Sequence, residues 1–563
     1  MSYRQQIIGL LAQESKLSPA EIDKLLAVPP DQKLGDYAFP CFKLGKNPSQ
    51  AAQALQGRVK LPPFIEKVAV MGPYLNFFLQ QAVVAEQTLT AISTPGEKFG
   101  SGKEQQNIVV EFCGPNTNKP LHLGHLRNMA LGNALCRILA FRGNKIHPVN
   151  IVNDRGIHIC QSMLAYQKWG NNTLPDKKGD HFVGDFYVLF AQQLKENPDL
   201  KNEAQELLFH WEEKKPEVQK LWKKMTKWVL DGFAQTYKRF GIIFEKEYFE
   251  SEYYEQGKEV AFEGLKKKIF EKDDQKNIVA QLEAYGLPNK VVLRGDGTSI
   301  YITQDLYLAQ LRYQDFQFDR MVYVVASEQN LHFQQLFKIL GLLGRQYAWH
   351  LYHLSYGLVN LPTGRMKSRE GTVIDADDIL DELSGLAEQE VRIRYKTLPE
   401  QEIRRRAEFI ALAAVKFFML RTDAGKEMVF DPQESISFEG ETGPYLQYTH
   451  ARAGSILKKA GKVSGKLFRK VNYSLLTDLR EKSIITLLSK FPEVVQEAAQ
   501  HKIHVLCRYL LDLAQAFNEF YHAHPVISDD KELMKARLML VKGVQRVVAS
   551  GLDLLGIEAP EEM

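Results

Sequence analysis

The run Gly114-Pro115-Asn116-Thr117-Asn118-Lys119-Pro120-Leu121-His122-Leu123-Gly124-His125 constrains this chain more than any other, because it joins a strand to a helix through two histidines and a close-approach glycine. Upstream, Asn107-Ile108-Val109-Val110-Glu111-Phe112 reads as a buried parallel strand. Downstream, Leu126, Met129, Leu131, Leu135 and Ile138 line a helix that stops near Gly143. The loop therefore delivers its side chains to a helix N-terminus, where unpaired N–H groups and the positive end of the helix dipole attract phosphate. Gly124 lacks a Cβ, so a flat base can lie against the backbone. His122 and His125 are placed to donate hydrogen bonds to charge developing on a phosphate. These are the parts of a site for a nucleoside triphosphate.

At 563 residues the chain exceeds one core and divides into about three or four domains. No apolar run approaches the ~20 residues that span a bilayer. Met1-Ser2-Tyr3-Arg4-Gln5-Gln6 opens an amphipathic segment without a signal-type core, which leaves the cytoplasm as the expected location, with no membrane partner. Cys41, Cys113, Cys136, Cys160 and Cys507 are scattered, without the spacing of a disulfide framework or a zinc site, so no metal ligand set is expected. A net charge of +4 is slight for this length and argues against indiscriminate polyanion binding while permitting local basic surfaces.

The chain punctuates itself at Ser93-Thr94-Pro95-Gly96, which closes an N-terminal unit over residues 1–95. From Asn107 strands and helices alternate, as in a nucleotide-binding half-sheet. A charged, helix-patterned insertion over about 170–289 interrupts them, with Leu221, Met225, Trp228, Val229, Phe233, Tyr237 and Phe240 at helical spacing. Sheet pattern resumes at Val291-Val292-Leu293-Arg294 and continues through Ile300-Tyr301-Ile302, Met321-Val322-Tyr323-Val324-Val325 and Gly357-Leu358-Val359. After about Glu390 the pattern is helical, with segments at Arg404–Arg421, Tyr445–Ala460, Leu475–Ala499, His504–His522 and Lys531–Leu555. The expected fold is α/β: a Rossmann-type parallel-sheet catalytic domain over 107–390 carrying the insertion, an N-terminal α+β accessory domain, and an all-α helical bundle over 391–563.

Three further constellations carry chemistry. Tyr301-Ile302-Thr303-Gln304-Asp305 brings a carboxylate toward the sheet edge that holds Glu111, and two converging carboxylates suit a cation. A guanidinium, with five fixed donors, prefers such bidentate partners. Read alone, without a family, Asp305 is an N-cap and Tyr301 a packing residue. Ser327-Glu328-Gln329-Asn330-Leu331-His332 forms a polar elbow between a strand and a helix. Gly364-Arg365-Met366-Lys367-Ser368-Arg369-Glu370-Gly371 is a basic loop ahead of the acidic helix start Asp375-Ala376-Asp377-Asp378, and its place at the sheet's end favours phosphate.

The stretch from Glu111 to Arg127 resembles the first motif of class I aminoacyl-tRNA synthetases and, more narrowly, that of arginyl-tRNA synthetases: Glu111 ending the strand, then Pro115, Asn116, Lys119, Pro120, His122, Gly124, His125 and Arg127. The basic loop resembles the family's second motif in altered form. Arg365-Met366-Lys367-Ser368-Arg369 stands for the usual Lys-Met-Ser-Lys-Ser, and Lys119 fits the lysine that substitutes for the missing one. Cys113-Gly114 also departs from the small hydroxyl residues of many relatives. Further matches at Gly35-Asp36-Tyr37-Ala38-Phe39-Pro40, Gly72-Pro73-Tyr74-Leu75-Asn76-Phe77, Gly443–Arg452 and Gly551–Pro560 extend the resemblance to both ends and imply a complete enzyme.

That resemblance implies an arginine–tRNA ligase with L-arginine, ATP with Mg²⁺, and arginine tRNA as its substrates and partners, acting as a monomer and needing no zinc. His122, His125, Lys119, Lys367 and Arg369 would be catalytic. Asn116, His122, Gly124, His125, His332 and Lys367 would hold ATP. Glu111, Tyr301 and Asp305 would hold the arginine side chain, with Asn116 and Gln329 at its α-carbon end. Tyr74 and Asn76 would meet bases at the tRNA corner and Tyr448 an anticodon base. From the residues alone, Tyr74 could as well pack, Asn76 cap a turn and Tyr448 lie in the bundle core. Another class I synthetase, a nucleotidylyltransferase using His-x-Gly-His, or a tRNA-binding paralogue without catalysis are the alternatives.

Overall fold

The computed structural model describes residues 3–360, 362, 374–461 and 471–563. At the N-terminus β1 (Tyr37–Pro40), β2 (Ile65–Met71) and β3 (Tyr74–Leu79) form an antiparallel sheet in the order β1-β3-β2. The helix Gln81–Ser93 follows it and packs on the C-terminal helices Leu479–Ala498 and Lys531–Leu554, so this unit leans on the bundle. Asn76 points into this unit and Tyr74 out of it. The Asn76 amide donates to the Leu34 carbonyl at 2.7 Å with its side chain buried, whereas Tyr74 is 41% exposed and meets Phe42 edge-on at 5.8 Å. Residues two apart on a strand share a face, so alternation does not separate them; the Leu34 carbonyl, accepting from the Asn76 amide, draws that side chain inward.

The central sheet is parallel throughout, in the order β11-β10-β4-β5-β6, from β4 (Asn107–Glu111), β5 (Lys145–Val152), β6 (Lys246–Phe249), β10 (Arg320–Ala326) and β11 (Leu351–Tyr356). Both faces are covered, as such a sheet requires. Ile108, Val110, Val322 and Val324 pack toward the helix Leu123–Phe141 and the bundle, and Val109, Met321 and Tyr323 pack toward the helices Tyr301–Phe316 and Asn330–Leu342. Strand β6 lies inside the segment expected to be a pure insertion. Only the helices Gly179–Glu196, Leu200–Glu212 and Pro216–Phe240 leave the sheet before the chain returns to it.

Beyond β6, the strands β7 (Phe270–Lys272), β8 (Ile278–Ala280) and β9 (Lys290–Leu293) make a separate antiparallel sheet, so Val291–Leu293 is a strand but not part of the parallel sheet. The expected strand at Ile300–Ile302 is absent, because the helix Tyr301–Phe316 begins there with Ile300 at its N-cap and the Thr303 side chain accepting from the Ile300 N–H at 3.0 Å. Leu351–Tyr356 supplies the edge strand, and the short pair β12 (Val359–Asn360) and β13 (Met428–Val429) ties the sheet's end to the bundle. The bundle helices Glu400–Leu420, Gly443–Gly461, Leu479–Ala498, Ile503–Ala523 and Lys531–Leu554 follow the expected segments closely.

Arg127 explains how these units stay in register. Fully buried on the helix Leu123–Phe141, it donates to the carbonyls of Gly357 at 2.7 Å, Ala424 at 3.0 Å and Lys426 at 2.8 Å. Burial pushes its pKa down to about 10. Among the described residues no helix is long and apolar enough to cross a membrane.

Candidate active site

A cavity of about 900 Å³ opens at the C-terminal ends of β4, β5 and β10, where open α/β sheets take their ligands. It is lined by Glu111, Asn116, His122, Gly124, His125, Tyr301, Asp305, Gln329 and His332, so the first loop, the start of the helix Tyr301–Phe316 and the elbow after β10 meet in one place. Lys119 lies beside both histidines and its charge helps depress their basicity. Lys367 and Arg369 lie outside the described residues, but both ends of their segment border the site. Asn360 lines the cavity, and the Ile374 carbonyl accepts from the Leu123 N–H at 3.3 Å.

The two histidines hold each other through the backbone. His122 is the N-cap of the helix Leu123–Phe141, and its Nδ1 accepts from the Gly124 N–H at 3.1 Å. The Nδ1 of His125 accepts in turn from the His122 N–H at 3.1 Å, leaving the rings 4.0 Å apart. An imidazole that accepts at Nδ1 carries its proton at Nε2 when neutral. Burial first, then Lys119, lowers the His122 pKa to about 3; burial, His122 and Lys119 hold that of His125 well below the ordinary value. The pair is therefore a neutral double Nε2–H donor, with Lys119 and the helix dipole as the positive charge. Gly124 matters in a different way from the expected one: a Cβ there would lie 3.0 Å from His122 Cε1, so the glycine makes room for the capping ring.

Asn128 fixes the loop to the sheet. Its Oδ1 accepts from the Cys113 N–H at 2.5 Å and its amide donates to the Val324 carbonyl at 2.8 Å and to the Tyr356 hydroxyl at 3.1 Å. Cys113 needs that support, because its φ of 83° is costly for a residue with a Cβ, and Gly114 follows at φ 66°.

At the far end of the cavity Tyr301 and Asp305 stand four residues apart on the first turns of one helix, hence on one face. Tyr301 is 70% exposed, and Asp305 Oδ2 accepts from His332 Nε2 at 2.7 Å. Asp305 is thus neither the N-cap nor solvent-facing, and His332 stands on the carboxylate side of the site. Glu111 meets a resident guanidinium: the fully buried Arg312 lies against its carboxylate, between the rings of Tyr248 and Tyr323.

One carboxylate close behind the site, though not lining the cavity, is not among the expected residues. Glu250 follows β6 as Glu111 ends β4, and it is buried near Tyr301 and Asp305: its charge raises the pKa of the Tyr301 hydroxyl, and the Asp305 charge raises that of Glu250 itself. Burial pushes its pKa up to about 7, against the pull of Arg155, whose Nη1 lies 3.5 Å from it. An acid at the carboxyl end of a sheet strand is the available signal, hidden because the pattern around 246–249 reads as insertion. Asn76 and Tyr74 lie in the N-terminal unit, where the buried amide of Asn76 is committed to Leu34 and so is not an open base-reading edge. Tyr448 is half-buried on the bundle, its hydroxyl accepting from Arg452 at 3.1 Å, with Arg452 also 5.0 Å from the Tyr521 ring.

Comparison with known proteins adds three kinds of match. The catalytic domain of class I (R) tRNA synthetases matches residues 88–431, the DALR anticodon binding domain matches 446–563, and the arginyl tRNA synthetase N terminal domain matches 2–79. The arginine–tRNA ligase of Treponema pallidum subsp. pallidum is 44% identical over 559 residues, covering 95% of this chain and 94% of its own. That of Phocaeicola vulgatus is 41% identical over 563 residues, covering 93% of each. The solved arginyl-tRNA synthetase of Thermus thermophilus superposes over 100% of both chains with a TM-score of 0.83 at 28% identity.

Proposed function

The chain belongs to the arginine–tRNA ligases of class I, which use ATP, and on that footing we propose how its own residues divide the work. The observation that carries the reading is one cavity with a neutral histidine pair at one end and a carboxylate–tyrosine face at the other. ATP lies along the first loop, over Gly124 and beside Asn116, with Lys367 and Arg369 of the second loop assigned to its phosphates, whereas His332, bonded to Asp305, serves the arginine end. Mg²⁺ would enter with ATP and neutralise phosphate charge, and Glu328, an exposed carboxylate lining the cavity, would be the residue to hold it.

The arginine guanidinium is held by Asp305 and Tyr301 with Glu250 behind them, and the α-carbon end by Gln329 and Asn116; Glu111, already paired with Arg312, shapes the pocket wall rather than supplying a free charge. The arginine carboxylate, ionised already, attacks the α-phosphate in line and pyrophosphate leaves. No general base is needed; Nε2–H of His122 and His125, with Lys119, meets the charge that develops. The terminal ribose hydroxyl of arginine tRNA then takes the arginyl group.

Residues 1–95, 107–390 and 391–563 serve as tRNA-corner, catalytic and anticodon domains of a cytoplasmic monomer. Tyr74, exposed beside Phe42, offers a stacking face at the corner, and Tyr448 with Arg452 and Tyr521 offers another on the bundle. Tyr74→Ala is expected to raise KM for tRNA about five- to a hundredfold, the worth of one stacked base, while leaving tRNA-independent steps unchanged. An unchanged KM in aminoacylation would return Tyr74 to a packing role.

The experiment for the whole reading is arginine-dependent exchange of labelled pyrophosphate into ATP, with and without arginine tRNA and with lysine as the control. Exchange that needs arginine supports it. Absence of exchange in both settings, with tRNA still bound, would leave an RNA-binding paralogue.

A further inference from the structure

The helix Gly179–Glu196, which leaves the sheet after β5, lies directly on the first loop. A Cβ on Gly184 would fall 2.7 Å from Pro120 Cδ and 3.6 Å from Lys119 Cα, so only a glycine lets this helix approach so closely. At the head of the same helix Lys178 commits all three ammonium donors. They go to Asp180 at 2.9 Å, to Asp377 Oδ2 at 2.7 Å and to the Thr236 hydroxyl at 2.6 Å. His181 adds a second partner, with Nε2 donating to Asp377 Oδ2 at 3.1 Å and Nδ1 3.4 Å from Asp375. Asp180, His181 and Asp377 have the spacing of a metal site, but the Lys178 ammonium already occupies the oxygens a cation would take.

The far side of this network is the segment that re-enters the site after the second loop. Its Ile374 carbonyl accepts from the Leu123 N–H, its Ala376 N–H donates to the Leu121 carbonyl at 2.8 Å, and Asp375 pairs across from His122. The network therefore fastens, from one side, the segment Ile374–Ala376, whose other side is bridged to the first loop. We propose that Lys178, His181 and Asp377 are positioning residues for arginine activation, which hold Ile374–Ala376 against the first loop and so keep Lys119 and His122 at the phosphate. This rests on the assignment of Lys119, His122 and His125 to the triphosphate. None of the three touches the cavity, and the arginine pocket lies at its other end, so the network acts on the phosphate half alone.

The test is pyrophosphate exchange by Asp377→Asn, His181→Gln and Lys178→Met, with Lys178→Arg as the conservative variant and His122→Ala beside them, each checked for thermal unfolding. Misplacing a phosphate-binding loop by about 1 Å costs on the order of a hundredfold, so kcat is expected to fall roughly ten- to a hundredfold in the first three variants. KM for arginine should stay within about twofold, since its binding contacts are untouched. Lys178→Arg should recover most of kcat, and the melting temperature should move by no more than a few degrees. Should kcat hold while His122→Ala loses activity, the positioning role is wrong and the phosphate assignment stands. Should both keep full activity, the phosphate assignment itself fails. A loss of kcat that tracks lost thermal stability, or that Lys178→Arg does not recover, would reduce the network to ordinary structural support.

Discussion

His125→Ala is expected to lower arginine-dependent pyrophosphate exchange by about 10²–10³-fold, the cost of losing one preorganised donor to a developing oxyanion. The size follows from the state of the ring. Its Nδ1 is committed to the His122 N–H at 3.1 Å, which leaves Nε2–H as the only donor that can face substrate. Burial keeps the ring neutral, so that donor needs no proton from solution. Because Nδ1 also caps the neighbouring residue, His125→Asn is the informative companion: its short amide can still accept from the His122 N–H but cannot reach as far as Nε2. Loss in both variants assigns the effect to the donor, and loss in alanine alone assigns it to the cap.

The same geometry fixes a pH result. With His122 at about 3, neither ring should titrate between about pH 5 and 8, so no acid limb near the ordinary histidine value should vanish in the variants. Activity within about threefold of the parent in His125→Ala would sink the donor assignment, since a preorganised donor is worth far more than that.

How far the sequence carries this site depends on how local each device is. The first loop is legible because its chemistry is written in adjacent residues: a strand, an N-terminus, two histidines and a glycine. The reciprocal Nδ1 contacts are not, since they depend on ring directions that only the cap geometry sets. Tyr301 and Asp305 are legible as a pair through the family pattern, although their segment reads as a strand. Four-residue spacing on a helix brings them to one face, where alternation on a strand would also have done so, and the wrong element still gives the right neighbours. Glu250 is lost because β6 has only four residues, too short to show a period inside a charged stretch. Glu111 is recognisable, but not its buried partner Arg312, which lies some two hundred residues away in sequence and is found only in space. Asn76 shows the limit for a residue expected at the surface, since the carbonyl of Leu34 draws its amide into the interior.

Asp305→Asn is expected to raise KM for arginine about 30- to 1,000-fold, equivalent to about 2–4 kcal/mol for removing one member of a charge-assisted pair in a sheltered pocket. At saturating arginine kcat should fall far less, because the guanidinium contact is the same before and during the attack on phosphate. Asp305 also receives the His332 Nε2–H at 2.7 Å, so His332→Asn run in parallel separates loss of the carboxylate from loss of its orientation.

Glu250 gives the pocket a pH signature whose sign can be worked out. Its pKa of about 7 in the empty site means that it is mostly protonated at pH 6 and mostly ionised at pH 8. A guanidinium is cationic throughout that range and pairs with the ionised form, so KM for arginine should fall as pH rises from about 6 to 8. Glu250→Gln should raise KM and flatten that slope together. A slope that survives the substitution would place the titrating group elsewhere. Lysine is the matching control: a single ammonium cannot engage Asp305 and Glu250 as a planar fork does, and a buried carboxylate left without its partner carries the cost of its own desolvation. Discrimination against lysine should therefore narrow in Glu250→Gln, where only one charge remains to be met.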